Sequence, residues 1–493
     1  MASTLTPRQA GWIAGAVALA AGLLTLNHYL TGVFYDDGLY AGLAWALAHG
    51  QGFVHPNLPG TPAAVHFPPF FPVILIPFFG TLSIPAAAFA GKILNAVLFA
   101  AGGGLIAAYA VRTKLLGDVP PWLAVALVAA AAVAIPVLTL LGALMSEPLF
   151  ALLLVAGVML AEERPLWAGL CIAAALLTRS IGVAAGAGIL LYSWRRGASP
   201  RQLIRFAVPV VVAGAAWGLW VLRHKNGIDP AIASDYGSYF ETVKSAGLGA
   251  LGSSTTDLPR PLSVLTLNWV PSRVVYYALG IPALLVGLYG LGLLCVRSSI
   301  GWTLVFYLAI LAIWPFPPDR FLWAVLPWLA LGWAAGAFGL WQRITKWPRI
   351  ALAVLAIALT GGYVRYEARG LAHRWWDLSA SNISDNFADL LPALDSLPAN
   401  AVVATDNEPL VYLATGRKSV PFYLFMYRGR QLLEPTPALQ RAYLARFGVT
   451  HVLMAGPGAS GEELRRLALA YPELLRPIRG WPNGALFEVR RDH

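Results

Sequence analysis

"PAAAFAGKILNAVLFAAGGGLIAAYAV", residues 85 to 111, is apolar or small throughout except for Asn95 and one charge, Lys92. As a helix it is long enough to cross a hydrocarbon core of about 30 Å, for which roughly 20 apolar residues suffice. Similar runs lie at about 10–32, 121–141, 147–161, 166–178, 180–194, 205–222, 273–296, 300–315, 320–341 and 349–365. The pattern predicts a polytopic α-helical membrane protein of about eleven spans. The two short runs flanking Arg179 could instead be one kinked helix or a re-entrant pair, which would change the parity downstream.

Composition agrees. The chain is 58% hydrophobic and only 12% charged, with a mean hydropathy of +0.64, too little charge to cover a large soluble enzyme. The net charge of +11 does not indicate a nucleic-acid binder, because Lys and Arg punctuate the gaps between apolar runs instead of massing in one patch. Cys171 and Cys295 both lie inside apolar runs and offer neither a disulfide framework nor metal-ligand spacing. The first apolar run is longer than a signal-peptide core, has no clear small-residue cleavage site and is expected to be retained as a span.

Cytoplasmic loops carry the Lys and Arg excess. Placing the N-terminus in the cytoplasm puts Arg8, Arg112 and Lys114, Arg164, the group from Arg195 to Arg205, Arg297, and Arg343 to Arg349 on that side. Four regions then face outward: the loop from Val33 to about residue 84, the turn at Ser146 and Glu147, the segment 223–272, and the tail. The expected organisation is a membrane domain over 1–365 and an external α/β domain over 366–493. In the tail, "AVVATD" (401–406), "KSVPF" (418–422), "THVLMAG" (450–456) and "ALFEVRR" (485–491) read as strands, and "ALQRAYLARFG" and "SGEELRRLALAY" as helices. "GPGASG" (456–461) lacks the spacing of a nucleotide-binding loop and reads as a plain loop.

The first external loop carries an adjacent acid pair, Asp36 and Asp37, ahead of a helical pattern over 38–48 that includes Tyr40 and is expected to lie along the membrane surface. One helix cap needs one acid. A second acid at a membrane boundary, where ionised groups are costly, points to function. Glu147, Arg179, His66, Lys92 and Arg320 fall on the same side. Singly each reads as a snorkelling or paired charge; together they describe an external cavity holding both carboxylates and cations.

"YDDGLYAGLAWALAHGQGF", "HFPPFFPVILIPFFG", "LMSEPLF", "LLTRSIGVAAGAGILLYSWRRG" and "RFLWAVLPWLALGWA" occur in this order. Over residues 10 to 345 they resemble the bacterial GT-C glycosyltransferases, among them lipid A aminoarabinose transferases and protein O-mannosyltransferases. The tail resembles the small external domain of many bacterial members. The resemblance implies a GT-C-like bundle in the cytoplasmic (inner) membrane, with sugar passing from a polyprenyl-phosphate donor to a lipid, polysaccharide or protein acceptor outside. It also implies that an acid in the first external loop is central, and the family's pair matches Asp36 and Asp37, with Asp36 favoured as general base or acceptor-orienting group. Inversion at the anomeric carbon is expected by analogy.

His66, Arg320, Arg179 and Lys92 could then contact the donor phosphate through charge-assisted hydrogen bonds, with Glu147 and Tyr40 also lining the cavity. The paired carboxylates could hold a divalent cation through oxygen ligands. The aromatic stretches at 67–79 and 314–323 could line a lipid groove. A transporter or flippase of lipid-linked saccharides is the main alternative, but no internal repeat or midplane charge supports it. A noncatalytic scaffold would leave the two Asp residues as caps.

Overall fold

The computed structural model describes residues 5–246, 249–424, 426–428, 431–456 and 459–490. The chain opens with α1 (Pro7–Leu24), α2 (Asp36–Ala48), α3 (Phe70–Phe79), α4 (Ile84–Arg112), α5 (Pro121–Ala132), α6 (Ile135–Leu141), α7 (Glu147–Leu160), α8 (Pro165–Thr178), α9 (Val183–Arg195) and α10 (Pro200–His224). Four short helices follow in the segment after α10: α11 (Ala233–Tyr236), α12 (Tyr239–Ala246), α13 (Gly249–Asp257) and α14 (Arg260–Leu267). The bundle is completed by α15 (Arg273–Arg297), α16 (Ser299–Ala312), α17 (Asp319–Ala324), α18 (Leu326–Trp341) and α19 (Lys346–Ala372).

The helices pack as neighbours in space, α1 on α4, α4 on α7, α7 on α8, α8 on α10, α9 on α16 and α15 on α18. On α10, α15 and α19, large apolar residues such as Val211, Leu285 and Ile357 face outward, as lipid-facing positions do. Every expected span contains a helix, but among the described residues four helices are long and apolar enough to cross a membrane alone, or five if α5 and α6, bent by 60°, count as one. This falls short of the expected eleven spans. For five of the remaining six the reason is geometric: α7, α8, α9, α16 and α18 have 13 to 16 residues, and at about 1.5 Å per residue these reach roughly 20–24 Å; in α1, 18 residues long, Arg8 and Gln9 in the first turn dilute the apolar run. The chain does break at Arg179, which ends α8 in an extended conformation before a short 3-10 turn leads into α9.

The helix expected along the membrane surface is α2, and it is not an exposed amphipath. Most of its residues are buried, as suits a helix apolar on nearly every side.

After α19 come α20 (Trp375–Leu390), β1 (Val403–Thr405), α21 (Glu408–Thr415), β2 (Ser419–Pro421), β3 (Met426–Arg428), β4 (Gln431–Leu433), α22 (Pro437–Arg446), β5 (His451–Met454), α23 (Ala459–Ala470), β6 (Leu475–Trp481) and β7 (Gly484–Val489). Five strands form one sheet in the order β2-β1-β5-β7-β6. Its first three strands are parallel, while β7 runs antiparallel to β5 and to β6; β3 and β4 make a separate hairpin. Of the glycine-rich stretch, residues 457–458 lie outside the described residues. α2 packs against α3 and against α21, so the tail touches the segment between α1 and α4 directly.

Candidate active site

The turn that leads into α2 sets the site. Tyr35, with φ 66° and ψ −68°, is the centre of a γ-turn closed by the Asp36 N–H donating to the Phe34 carbonyl at 2.8 Å. That conformation is rare for a residue with a side chain and costs roughly 1–3 kcal/mol. It separates the two acids. Asp37 folds back and accepts from the Gly32 and Phe34 amides at 3.2 and 2.9 Å, leaving it 1% exposed. Burial pushes its carboxyl up to about 6, against the opposing pull of Lys92 and the backbone amides.

Asp36 faces the other way, into a chain of alternating charges. Its Oδ2 meets the Arg320 guanidinium at 2.6 Å. Arg320 also donates to Glu147 Oε1 at 2.7 Å, and Arg179 reaches the same Glu147 oxygen at 2.8 Å. Arg179 then donates to Ser146 Oγ at 3.1 Å, and the Ser146 hydroxyl pairs with the Tyr40 hydroxyl at 2.9 Å. The Arg179 guanidinium lies 5.0 Å from the centre of the Phe321 ring. Asp36, Glu147 and Arg320 occupy first turns of α2, α7 and α17, and Arg179 the residue closing α8. Helix ends thus bring together five of the expected site residues, Asp36, Tyr40, Glu147, Arg179 and Arg320.

The other three stand differently. His66 sits near Asp36 and Arg320 electrostatically, with Nδ1–H donating to the Gly237 carbonyl at 2.7 Å and its ring 4.1 Å from that of Tyr239. Burial pushes its imidazole down to about 4, so at neutral pH it offers a phosphate no positive charge. Lys92 is buried and donates to Asn27 Oδ1 at 2.7 Å, on the Asp37 side of the turn. Asp37 is the third, engaged with backbone. The two acids therefore do not converge on one cation, and no group of three or more His, Cys, Asp or Glu side chains able to hold a metal occurs among the described residues. The residues present do not fit a divalent cation shared by Asp36 and Asp37.

An apolar cavity adjoins Glu147, lined by Phe99, Val128, Leu140, Pro148, Trp323 and Pro327. Of the two aromatic stretches expected at a lipid groove, 314–323 supplies Trp323, whereas most of 67–79 forms α3 and buries Phe71 and Phe79.

A second polar cluster escaped the sequence reading. Glu408, the first residue of α21, is fully buried and accepts from the Tyr35 and Tyr236 hydroxyls, each at 2.5 Å; Asn57 donates to the Tyr236 hydroxyl at 2.7 Å. Burial pushes the Glu408 carboxyl up to about 7. Asp235, between this cluster and Asp36, is pushed well above the usual carboxylate range by burial, then by the neighbouring Glu408 and Asp36 charges. The available signal was the density of polar residues in "ASDYGSY" (233–239) and "TDNEP" (405–409).

No family model matches the chain, and no curated protein matches it in sequence. Solved structures do. ArnT from Cupriavidus metallidurans, in the apo state, superposes over 96% of this chain and 96% of its own, with a TM-score of 0.52 at 13% identity. The chain has the fold of ArnT. The Archaeoglobus fulgidus oligosaccharyltransferase tethered to an acceptor peptide matches 89% of this chain and 68% of its own, with a TM-score of 0.50 and 12% identity. The oligosaccharyltransferase AglB from the same organism, in complex with an inhibitory peptide and a dolichol-phosphate, matches 89% and 69%, with a TM-score of 0.50 and 13% identity. These likenesses are of fold, and the chemistry rests on the side chains described above.

Proposed function

We propose that the protein is a membrane glycosyltransferase that moves a sugar from a polyprenyl-phosphate-linked donor to an acceptor hydroxyl, with Asp36 as the general base. The observation that carries this is the 2.6 Å ion pair between Asp36 and Arg320 at the end of the Glu147–Arg179 network. In this arrangement Arg320 neutralises Asp36. A donor phosphate competes for the same guanidinium with charge-assisted hydrogen bonds; once Arg320 turns to it, Asp36 is released to accept a proton.

The acceptor O–H then gives its proton to an Asp36 carboxylate oxygen as the acceptor oxygen attacks the anomeric carbon. The bond from that carbon to the phosphate oxygen breaks with inversion, and the leaving phosphate keeps the electron pair. Arg320 holds the developing charge, and Glu147 and Arg179 fix the position of Arg320. The apolar side chains around the cavity beside Glu147 offer the donor's lipid chain an apolar surface next to the phosphate. Two facts support a lipid-linked donor: this cavity, and the dolichol-phosphate bound to AglB, which shares the fold.

In this reading residues 1–365 form the membrane domain, with the loop 33–84 at its external face, and 366–493 form the external α/β domain. The N-terminus lies in the cytoplasm, the bundle sits in the inner membrane, and the shorter helices complete the count of about eleven spans by stacking end to end or where the bilayer thins around them. The acceptor is a lipid, polysaccharide or protein.

The test is transfer by the protein purified in detergent, given labelled polyprenyl-phosphate sugars. Asp36→Asn is expected to reduce transfer by at least a thousandfold while donor remains bound in native mass spectra. Full activity in that variant would sink the assignment.

A further inference from the structure

We propose that Glu408, carried by the C-terminal α/β domain, is a positioning residue for Asp36, holding through Tyr35 the strained turn that aims the carboxylate at Arg320. The inference rests on the reading of Asp36 as the base and adds to it a role for the tail.

Three observations meet at one place. Tyr35 is the residue immediately before Asp36, and its backbone takes φ 66° and ψ −68°, which only surrounding contacts can hold in a residue with a side chain. The contact at the far end of that side chain is the 2.5 Å hydrogen bond to Glu408 Oε1. Glu408 is itself locked: its carbonyl accepts from the Ser419 hydroxyl at 2.6 Å, and the same oxygen of its carboxylate is shared with Tyr236.

The backbone is built for this approach. A Cβ on Gly32, where φ is 108°, would lie 2.8 Å from Leu410 Cβ, and one on Gly38 would lie 2.8 Å from Pro409 Cβ. The first turn of α21 therefore rests directly on the loop that closes around Asp37, with Pro409 and Leu410 against bare glycine backbone. Two further bonds seat the tail on the same external loop, the Lys418 ammonium to the Pro56 carbonyl at 2.6 Å and the Ser419 amide to the Asn57 carbonyl at 2.8 Å. Without the Glu408 bond, Tyr35 is free to relax toward negative φ, which rotates Asp36 away from Arg320. The tail thus reaches the chemistry by way of one hydrogen bond, and a tail that shifts withdraws the base.

The experiment uses the full-length protein in detergent and four variants: Glu408→Ala, Glu408→Gln, Tyr35→Phe and Tyr236→Phe. Steady-state transfer and amide hydrogen exchange of the peptides covering residues 30–40 are measured for each. Glu408→Ala and Tyr35→Phe are expected to lower kcat tenfold or more with KM for the donor within twofold of wild type, and to speed exchange in that peptide at least tenfold. Glu408→Gln keeps Oε1 as acceptor and is expected to stay within threefold of wild type in both readouts. Tyr236→Phe, which leaves the Tyr35 bond in place, is expected to do the same.

Wild-type kcat or unchanged exchange in Glu408→Ala overturns the proposal, as does a loss confined to KM, or a Tyr236→Phe effect as large as that of Tyr35→Phe. If the wild-type protein transfers no sugar from any donor, the glycosyltransferase reading fails, while the exchange measurement still decides whether Glu408 holds the turn.

Discussion

Two neighbouring acids end up in opposite roles because one γ-turn points them apart. Asp36 meets Arg320, while Asp37 spends both oxygens on backbone amides. Asp37→Asn keeps the shape but replaces one acceptor with an NH2 group facing an amide N–H. The expected cost is about 1–3 kcal/mol for an unsatisfied buried group. It is measured as a fall in Tm in detergent that Asp36→Asn does not reproduce. Equal Tm in both variants would place the two acids in the same role. The sequence made the pair conspicuous but could not divide its labour, since both residues have the same type and almost the same position. Arg320, Arg179 and Glu147 were legible because charges are expensive beside a membrane and few are present. Their convergence on one Glu147 oxygen was not.

At the scale of elements, the helix-length runs and four of the sheet strands were readable from period and apolarity. β6 was not, because Pro477 breaks its pattern, and a proline is tolerated there since β6 lies at the sheet edge with a register shift at that point. α21 was missed because "EPLVYLAT" is too short for periodicity to tell helix from strand. Yet α21 decides how the tail sits. A side chain at Gly38 would collide with Pro409 and the Gly32 backbone, each 2.8 Å from its Cβ, whereas one at Gly42 would meet only the Pro56 ring edge at 3.6 Å. Gly38→Val is expected to cost about 1–3 kcal/mol as overpacking and to make the junction after α20 more sensitive to limited proteolysis. Gly42→Ala is expected to be neutral or slightly stabilising, Ala being the better helix former. Proteolysis that leaves both variants like wild type would show that α21 can give way without undocking the tail.

For the whole molecule, residues 373 positions apart meet at Tyr35 and Glu408, a pairing no local pattern encodes, and it ties the seating of the tail to pH. Burial raises the carboxyls of Asp37 to about 6 and Glu408 to about 7, and lifts Asp235 above the usual range. Burial also lowers the imidazoles of His55 and His66 to about 3 and 4. The raised carboxyls hold their protons in the folded state, so their contribution to stability is complete below the ordinary carboxylate range and is lost as pH rises through the folded values. The histidines act oppositely, losing stability as pH falls from about 6.5 toward their folded values and contributing no slope above about 6.5. Below that point the two groups offset each other; above it the carboxyls act alone. Tm is therefore expected to decline between pH 6.5 and 8.5, with Glu408 accounting for about 1 kcal/mol of the change. Glu408→Gln removes that titration and is expected to flatten the decline, while Asp36→Asn leaves it in place. A Tm profile as steep in Glu408→Gln as in wild type would assign the slope to Asp235 and separate the docking of the tail from the charge of Glu408.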